Sequence, residues 1–177
     1  MTDAAIFGRL LRVAVGGLAL LAAPMAGGVA AQDRPGLALE FGAGWVGFAD
    51  DGIVSEGLVV GAARWYLFPR ISVGPEFAYI GGDNHSHLMV TGDVTCDLLS
   101  PTNGPRRVTP FVVVGGGLFQ TREHFVSGTF TSREGAFTVG GGVRALVGDR
   151  VTIGIDARVG WELHVRVNGL VGLQLGR

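Results

Sequence analysis

Between residues 150 and 162 apolar and non-apolar side chains alternate without a break. Val151, Ile153, Ile155, Ala157, Val159 and Trp161 fall on one side, and Thr152, Gly154, Asp156, Arg158, Gly160 and Glu162 on the other. Successive side chains leave an extended backbone on opposite faces, so a strict period of two predicts a β-strand whose two faces meet different surroundings. The next stretch repeats the rule, setting Val165, Val167, Gly169, Val171, Leu173 and Leu175 against His164, Arg166, Asn168, Gly172 and Gln174. The same template fits upstream, over about 37–48, 56–68, 71–80, 87–99, 109–121 and 136–147. Eight strands result. Asp50-Asp51-Gly52, Pro69-Arg70, Gly81-Gly82-Asp83-Asn84, the segment 100–108 with its two prolines and Asn103-Gly104, Gly148-Asp149 and Trp161-Glu162-Leu163 punctuate them. Two places resist the rule. Pro75 cannot donate to a ladder and predicts a bulge or local gap, and Phe111, Val112, Val113 and Val114 are all apolar, so the fifth strand is oriented by assigning Gly115 and Gly117 inward.

Alternation alone does not say which face is buried, and composition decides it. The chain has 31 glycines in 177 residues, 47% hydrophobic residues, only 16% charged ones and a mean hydropathy of +0.40. Soluble domains average about 25% charged residues and about 7% glycine. Helical membrane proteins carry several apolar runs of about 20 residues, and none occurs after position 32. A soluble barrel would hide its apolar face and show Lys and Glu outside. Here the polar faces are rich in Gly, Ser and Thr, which suits a cramped lumen. Strands of this length match tilted membrane-spanning strands, and Trp45, Trp65, Tyr79 and Trp161 fall near strand ends, where interfacial aromatic girdles sit. The fold expected is all-β, an eight-stranded antiparallel up-and-down transmembrane β-barrel occupying residues 32–177.

Residues 1–31 read as a cleaved signal peptide. Arg9 and Arg12 precede an uncharged stretch, and Val29-Ala30-Ala31 offers small residues before Gln32. Removing Arg9, Arg12 and Asp3 with it takes the formal net charge from −1 to −2. Without a basic excess, nucleic acid is not an expected partner. Cys96, the sole cysteine, cannot form an intrachain disulfide and falls among apolar neighbours as a packed thiol.

Energetics then assigns the charges. An arginine facing lipid at mid-bilayer costs roughly 2–4 kcal/mol, so Arg64, Arg144, Arg158 and Arg166 are expected inside, meeting Glu40, Glu76, Asp93, Asp97, Asp156 and Glu162. An eight-stranded barrel is just wide enough for its own side chains, and lipid offers the backbone no hydrogen bonds, so the first strand must close on the last. An even strand count puts both termini on one side, with the connections at Pro69-Arg70, 100–108 and Gly148-Asp149. The opposite, outer side then carries 50–55, 81–86, 122–133 and the tip near Leu163. Phe125, Val126 and Phe130 mark the polar segment 122–133 as β-structure projecting beyond the membrane.

Thr109-Pro110-Phe111 leading into Gly115-Gly116-Gly117, then Phe137-Thr138-Val139-Gly140-Gly141-Gly142-Val143, then Asp156-Ala157-Arg158, resembles the small outer-membrane β-barrels of Gram-negative bacteria, the OmpA/OmpX-type or porin-like barrels. The resemblance covers about residues 35–177. The chain departs from the family at Leu173-Gln174-Leu175-Gly176-Arg177, which lacks the usual terminal aromatic. The resemblance implies a monomeric barrel in the cell outer membrane, surrounded by outer-membrane lipids and lipopolysaccharide and inserted by the barrel assembly machinery. It also implies a structural or surface-interaction role, without enzymatic activity or cofactor.

Two other roles are known for such barrels, lipid A modification and narrow conduction. The first needs a nucleophile, a base within hydrogen-bond reach and an orienting carboxylate. Asp83, His85, Ser86 and His87 cluster at an outer strand end, with His124 and His164 also in outer regions, but proximity in sequence is not that geometry. His85 and His87 share a strand face as i,i+2 neighbours, two metal ligands without a third. The glycine runs lack the Lys-Ser/Thr and the helix start of a phosphate loop, and haem-attachment and paired-cysteine zinc motifs are absent. No catalytic, cofactor-binding or metal-binding residue is therefore assigned. A soluble lipocalin-like barrel remains the distant alternative.

Overall fold

The computed structural model describes residues 36–49, 53–82, 85–99, 108–125 and 128–175. Within them the chain forms eight strands: β1 (Leu37–Ala49), β2 (Ile53–Phe68), β3 (Ile71–Gly81), β4 (His85–Asp97), β5 (Val108–Phe125), β6 (Gly128–Val147), β7 (Val151–Gly160) and β8 (His164–Leu175). Each is antiparallel to the one before, and β1 closes on β8 from Leu37↔Leu175 to Phe48↔His164. Closure leaves no edge strand, as lipid requires. The expected signal peptide, 1–31, lies outside the described residues, as does 100–107.

The alternation resolves as expected. Phe41 (65% exposed), Val59, Phe77, Leu118, Ile155 (55%) and Val171 face outward, while Arg64, Glu76, Asp93, Asp156, Arg158 and Arg166 are buried in the lumen. Trp45, Trp65, Tyr79 and Trp161 are all on the outer surface. At Pro75 the gap is real: β3 pairs with β4 through Pro75↔Gly92, but towards β2 the ladder skips from Ala62↔Glu76 to Trp65↔Val73. Gly74, within that gap, lies so close to β2 that a Cβ there would run into the carbonyl of Ala63.

Several boundaries differ from the sequence expectation. β2 starts at Ile53 because the β1 ladder continues to Ala49↔Ile53. β4 runs from His85 to Asp97 instead of 87–99; its outer end pairs with β5 through His85↔Glu123, and Arg70 holds the far end by donating from Nε to the Asp97 carbonyl and from Nη2 to the Leu98 carbonyl, each at 2.8 Å. β7 stops at Gly160, two residues early, where a 3-10 turn over Trp161–Leu163 reverses the chain with Leu163 at φ 46°. The β6–β7 turn carries Gly148 at φ 70°, a left-handed conformation that glycine adopts without steric cost. β5 and β6, at 18 and 20 residues, pair as far as Phe125↔Gly128, so much of 122–133 is a β-hairpin continuing past the neighbouring strands. Cross-strand pairing satisfies its backbone where an irregular loop would leave those groups to water.

Candidate functional site

The lumen has three zones along its axis. The middle one is the charge cluster the sequence predicted. Arg64 donates to Glu40 (3.2 Å), Asp93 (3.0 Å) and Glu76 (2.9 Å). Arg158 donates to Asp156 and Asp93 (both 2.7 Å) and to Glu76 (2.6 Å), and Arg166 donates to Glu76. Three arginines from β2, β7 and β8 therefore converge on one carboxylate of β3. Arg144 pairs with Glu40 (3.1 Å) nearer the side of the termini and lies over the ring of Phe111, 4.0 Å from its centroid. Of the predicted lumen charges only the Glu162 side chain lies outside the described residues.

Above the cluster the lumen is apolar, which sequence reasoning did not anticipate. Val46 and Phe48 from β1, Leu58 and Val60 from β2, Ala78 and Ile80 from β3, Met89, Phe119 and Ala136 form one buried group. The inward positions of β1 and β2 change from charged to apolar partway along each strand, so both faces there are apolar and periodicity loses its contrast. Extending the parity of Glu40 and Arg64 by even steps would have found them.

The third zone is the outer mouth, and it joins residues that the sequence kept apart. His87 lies on the apolar plug, stacked against Phe119 at 5.1 Å and tilted against Phe48 at 5.2 Å. His85, two residues further out, packs edge-on to His87 at 5.2 Å. Between β2 and β4 the registers Gly57↔Gly81 and Gly81↔Ser86 bring Glu56 level with this pair. Its carboxylate contacts His85 Nε2 through Oε1, and its Oε2 lies 3.9 Å from His87 Nε2. Gly82, just past the end of β3, leaves room for this contact: a Cβ there would stand 2.7 Å from His85 Cε1 and 2.9 Å from Glu56 Oε1. Glu56 is the residue that sequence reasoning missed; its even spacing from Arg64 was the available signal.

The remaining candidates do not join this group in catalytic form. Strand alternation turns Ser86 to the opposite face from His85 and His87, so the serine is not aligned with either imidazole as a nucleophile–base pair. His164 is buried under Phe48, its Nδ1 2.5 Å from the Trp161 carbonyl. Asp83 and the His124 side chain lie outside the described residues. Cys96 is half-buried near the strand end, its sulfur 3.9 Å from the Asp97 carbonyl.

No protein-family model matches the chain, and no curated protein matches its sequence. Solved structures do match its fold. The fold is that of the small outer-membrane β-barrels. Neisserial surface protein A, NspA, superposes with a TM-score of 0.68 at 9% identity, covering 81% of this chain and 100% of its own. Ail, the attachment invasion locus protein of Yersinia pestis, gives 0.56 at 11% identity over 79% of this chain and 97% of its own. The N-terminal β-barrel domain of Pseudomonas aeruginosa OprF gives 0.55 at 16% identity over 80% and 98%. With its apolar residues facing outward and its charges inside, the chain is a transmembrane barrel of the outer-membrane type.

Proposed function

We propose that this chain is a non-enzymatic barrel of the Gram-negative outer membrane with a structural or surface-interaction role in the cell envelope. It stands as a monomer among outer-membrane lipids and lipopolysaccharide, inserted by the barrel assembly machinery. The observation that carries this reading is the filling of the lumen: among the described residues the largest fully buried side chains are Arg64, Arg166 and Glu76 in the charge cluster, Ile80 and Met89 in the apolar plug, and His164 beneath Phe48. Charges tied to one another and capped by an apolar plug oppose a diffusion pathway. The placement of Ser86 opposes a lipid A hydrolase built on His85 and His87.

A deletion strain complemented with the full chain or with one lacking residues 122–133 tests the proposal. Loss of the gene is expected to increase sensitivity to detergent while leaving the lipid A mass profile unchanged, and both complementing chains are expected to restore resistance. Surface binding to host or matrix material, where the full chain shows it, is expected to disappear with the hairpin. A changed lipid A profile on deletion, or unitary conductance steps in planar bilayers, overturns the reading.

A further inference from the structure

We infer that Glu56, His85 and His87 form a binding site at the outer mouth for a first-row transition-metal dication of the Zn2+ type. The three residues each offer a ligand atom, and these atoms all lie within 4.8 Å of one another. Two imidazoles and a carboxylate are a donor set suited to such ions, with a fourth position left for water. Four-coordinate geometry at about 2.0–2.1 Å separates ligands by about 3.3 Å, so the widest pair must close by about 1.5 Å, within reach of side-chain rotation.

Three independent features point to an ion. Glu56 is 6% exposed, and its Oε2 has no hydrogen-bond partner among the described residues, although it is aimed into the cluster. A buried carboxylate oxygen left in that state is costly, and a metal would satisfy it. Secondly, His87 Nδ1 lies 3.0 Å from Thr121 Oγ1 on β5. With Nδ1 donating to that hydroxyl, Nε2 turns its lone pair towards Glu56, the arrangement by which an outer-shell partner fixes a metal-binding imidazole. Thirdly, Gly82, just past the end of β3, leaves open the space beside the facing ends of the Glu56 and His85 side chains, which a Cβ there would crowd. The ligands come from β2 and β4 and the orienting hydroxyl from β5, so a paired scaffold holds the site. The partly exposed His85 side chain, 34% accessible, gives the ion a path from outside.

The test is Co2+ titration of the full chain, purified from membranes in detergent without a histidine tag and freed of lipopolysaccharide. One Co2+ per barrel is expected, with the intense visible bands of a four-coordinate ion and displacement by Zn2+. Glu56→Gln and His87→Ala are each expected to weaken binding by about 100-fold or more, Thr121→Val by about 10-fold, and His124→Ala not at all. Heat-dependent gel migration reports whether each variant is folded. For any variant that is not, paramagnetic shifts of the His85 and His87 imidazole resonances in the unaltered protein locate the ion without substitution. Absence of stoichiometric binding overturns the assignment, as does binding that persists in the folded His85→Ala/His87→Ala double variant or Co2+ shifts confined to other histidines.

Discussion

Glu76→Gln is the sharpest perturbation of the lumen, because the carboxylate it neutralises is shared by three guanidinium groups. Glu76 is 2% exposed and accepts from Arg64 at 2.9 Å, from Arg158 at 2.6 Å and from Arg166. Arg64 retains Glu40 and Asp93 after the change, and Arg158 retains Asp93 and Asp156. Arg166 is fully buried, already has Nε and Nη1 without hydrogen-bond partners, and loses the carboxylate on which its Nη2 rests. Removing one partner of a buried ion pair typically costs about 3–5 kcal/mol, chiefly because it strands the other charge. The upper half of that range is expected, since the stranded arginine lies in a lumen where lipid and plug limit access to water. Adding Arg166→Met removes the stranded charge, so the double variant is expected to regain most of the loss. Urea unfolding in lipid vesicles, followed by heat-dependent gel migration, measures both. The reasoning is refuted if Glu76→Gln lies within about 0.5 kcal/mol of the parent, the usual range for exposed substitutions, or if the double variant is less stable than the single one.

Other consequences follow from the outer face and the close strand contacts. Ile155, at the middle of β7 opposite Val143 and Gly169, faces lipid; Ile155→Arg is expected to destabilise the vesicle-embedded barrel by about 2–4 kcal/mol, whereas Thr131→Arg on the exposed hairpin changes the urea midpoint little. Gly117 faces the lumen, where a Cβ would run into the carbonyl of Val90. Gly117→Ala is therefore expected to reduce the folded fraction in membranes, while Gly116→Ala on the opposite face, with only the Ala136 carbonyl at 3.9 Å, leaves it unchanged on the same gel. Arg70→Ala removes two hydrogen bonds that secure the inner end of β4; for this partly exposed group the expected loss is about 1 kcal/mol, read as a lower urea midpoint.

The sequence made the barrel legible because a membrane barrel inverts the usual pattern and every lipid-facing charge is penalised. Arg64, Arg144, Arg158 and Arg166 could be placed inside by that penalty alone. Where the penalty is silent, the reading failed. Val59-Val60 and Trp45-Val46 put apolar side chains on both faces, so the plug above the charge cluster left no contrast for periodicity to report. Strand ends escaped periodicity for another reason: Ile53 and Gly128 belong to strands because the ladders run right up to the turns, through Ala49↔Ile53 and Phe125↔Gly128, and His85 through a partner distant in sequence, Glu123. The outer-mouth cluster combines both difficulties. His85 and His87 declared a shared face by their spacing, but Glu56 lies 29 residues from His85 and meets it across β3, beside Gly82.

Spin labels introduced one at a time from Val165 to Leu173 in β8, in a protein with Cys96 replaced, test directly which face meets lipid. Collision with oxygen, which concentrates in the bilayer, is expected to be high at Val165, Val167, Gly169, Val171 and Leu173 and low at Arg166, Asn168, Leu170 and Gly172, giving a period of two. Oxygen accessibility that peaks instead at the Arg166 and Asn168 positions, or that shows no alternation along the strand, contradicts the account.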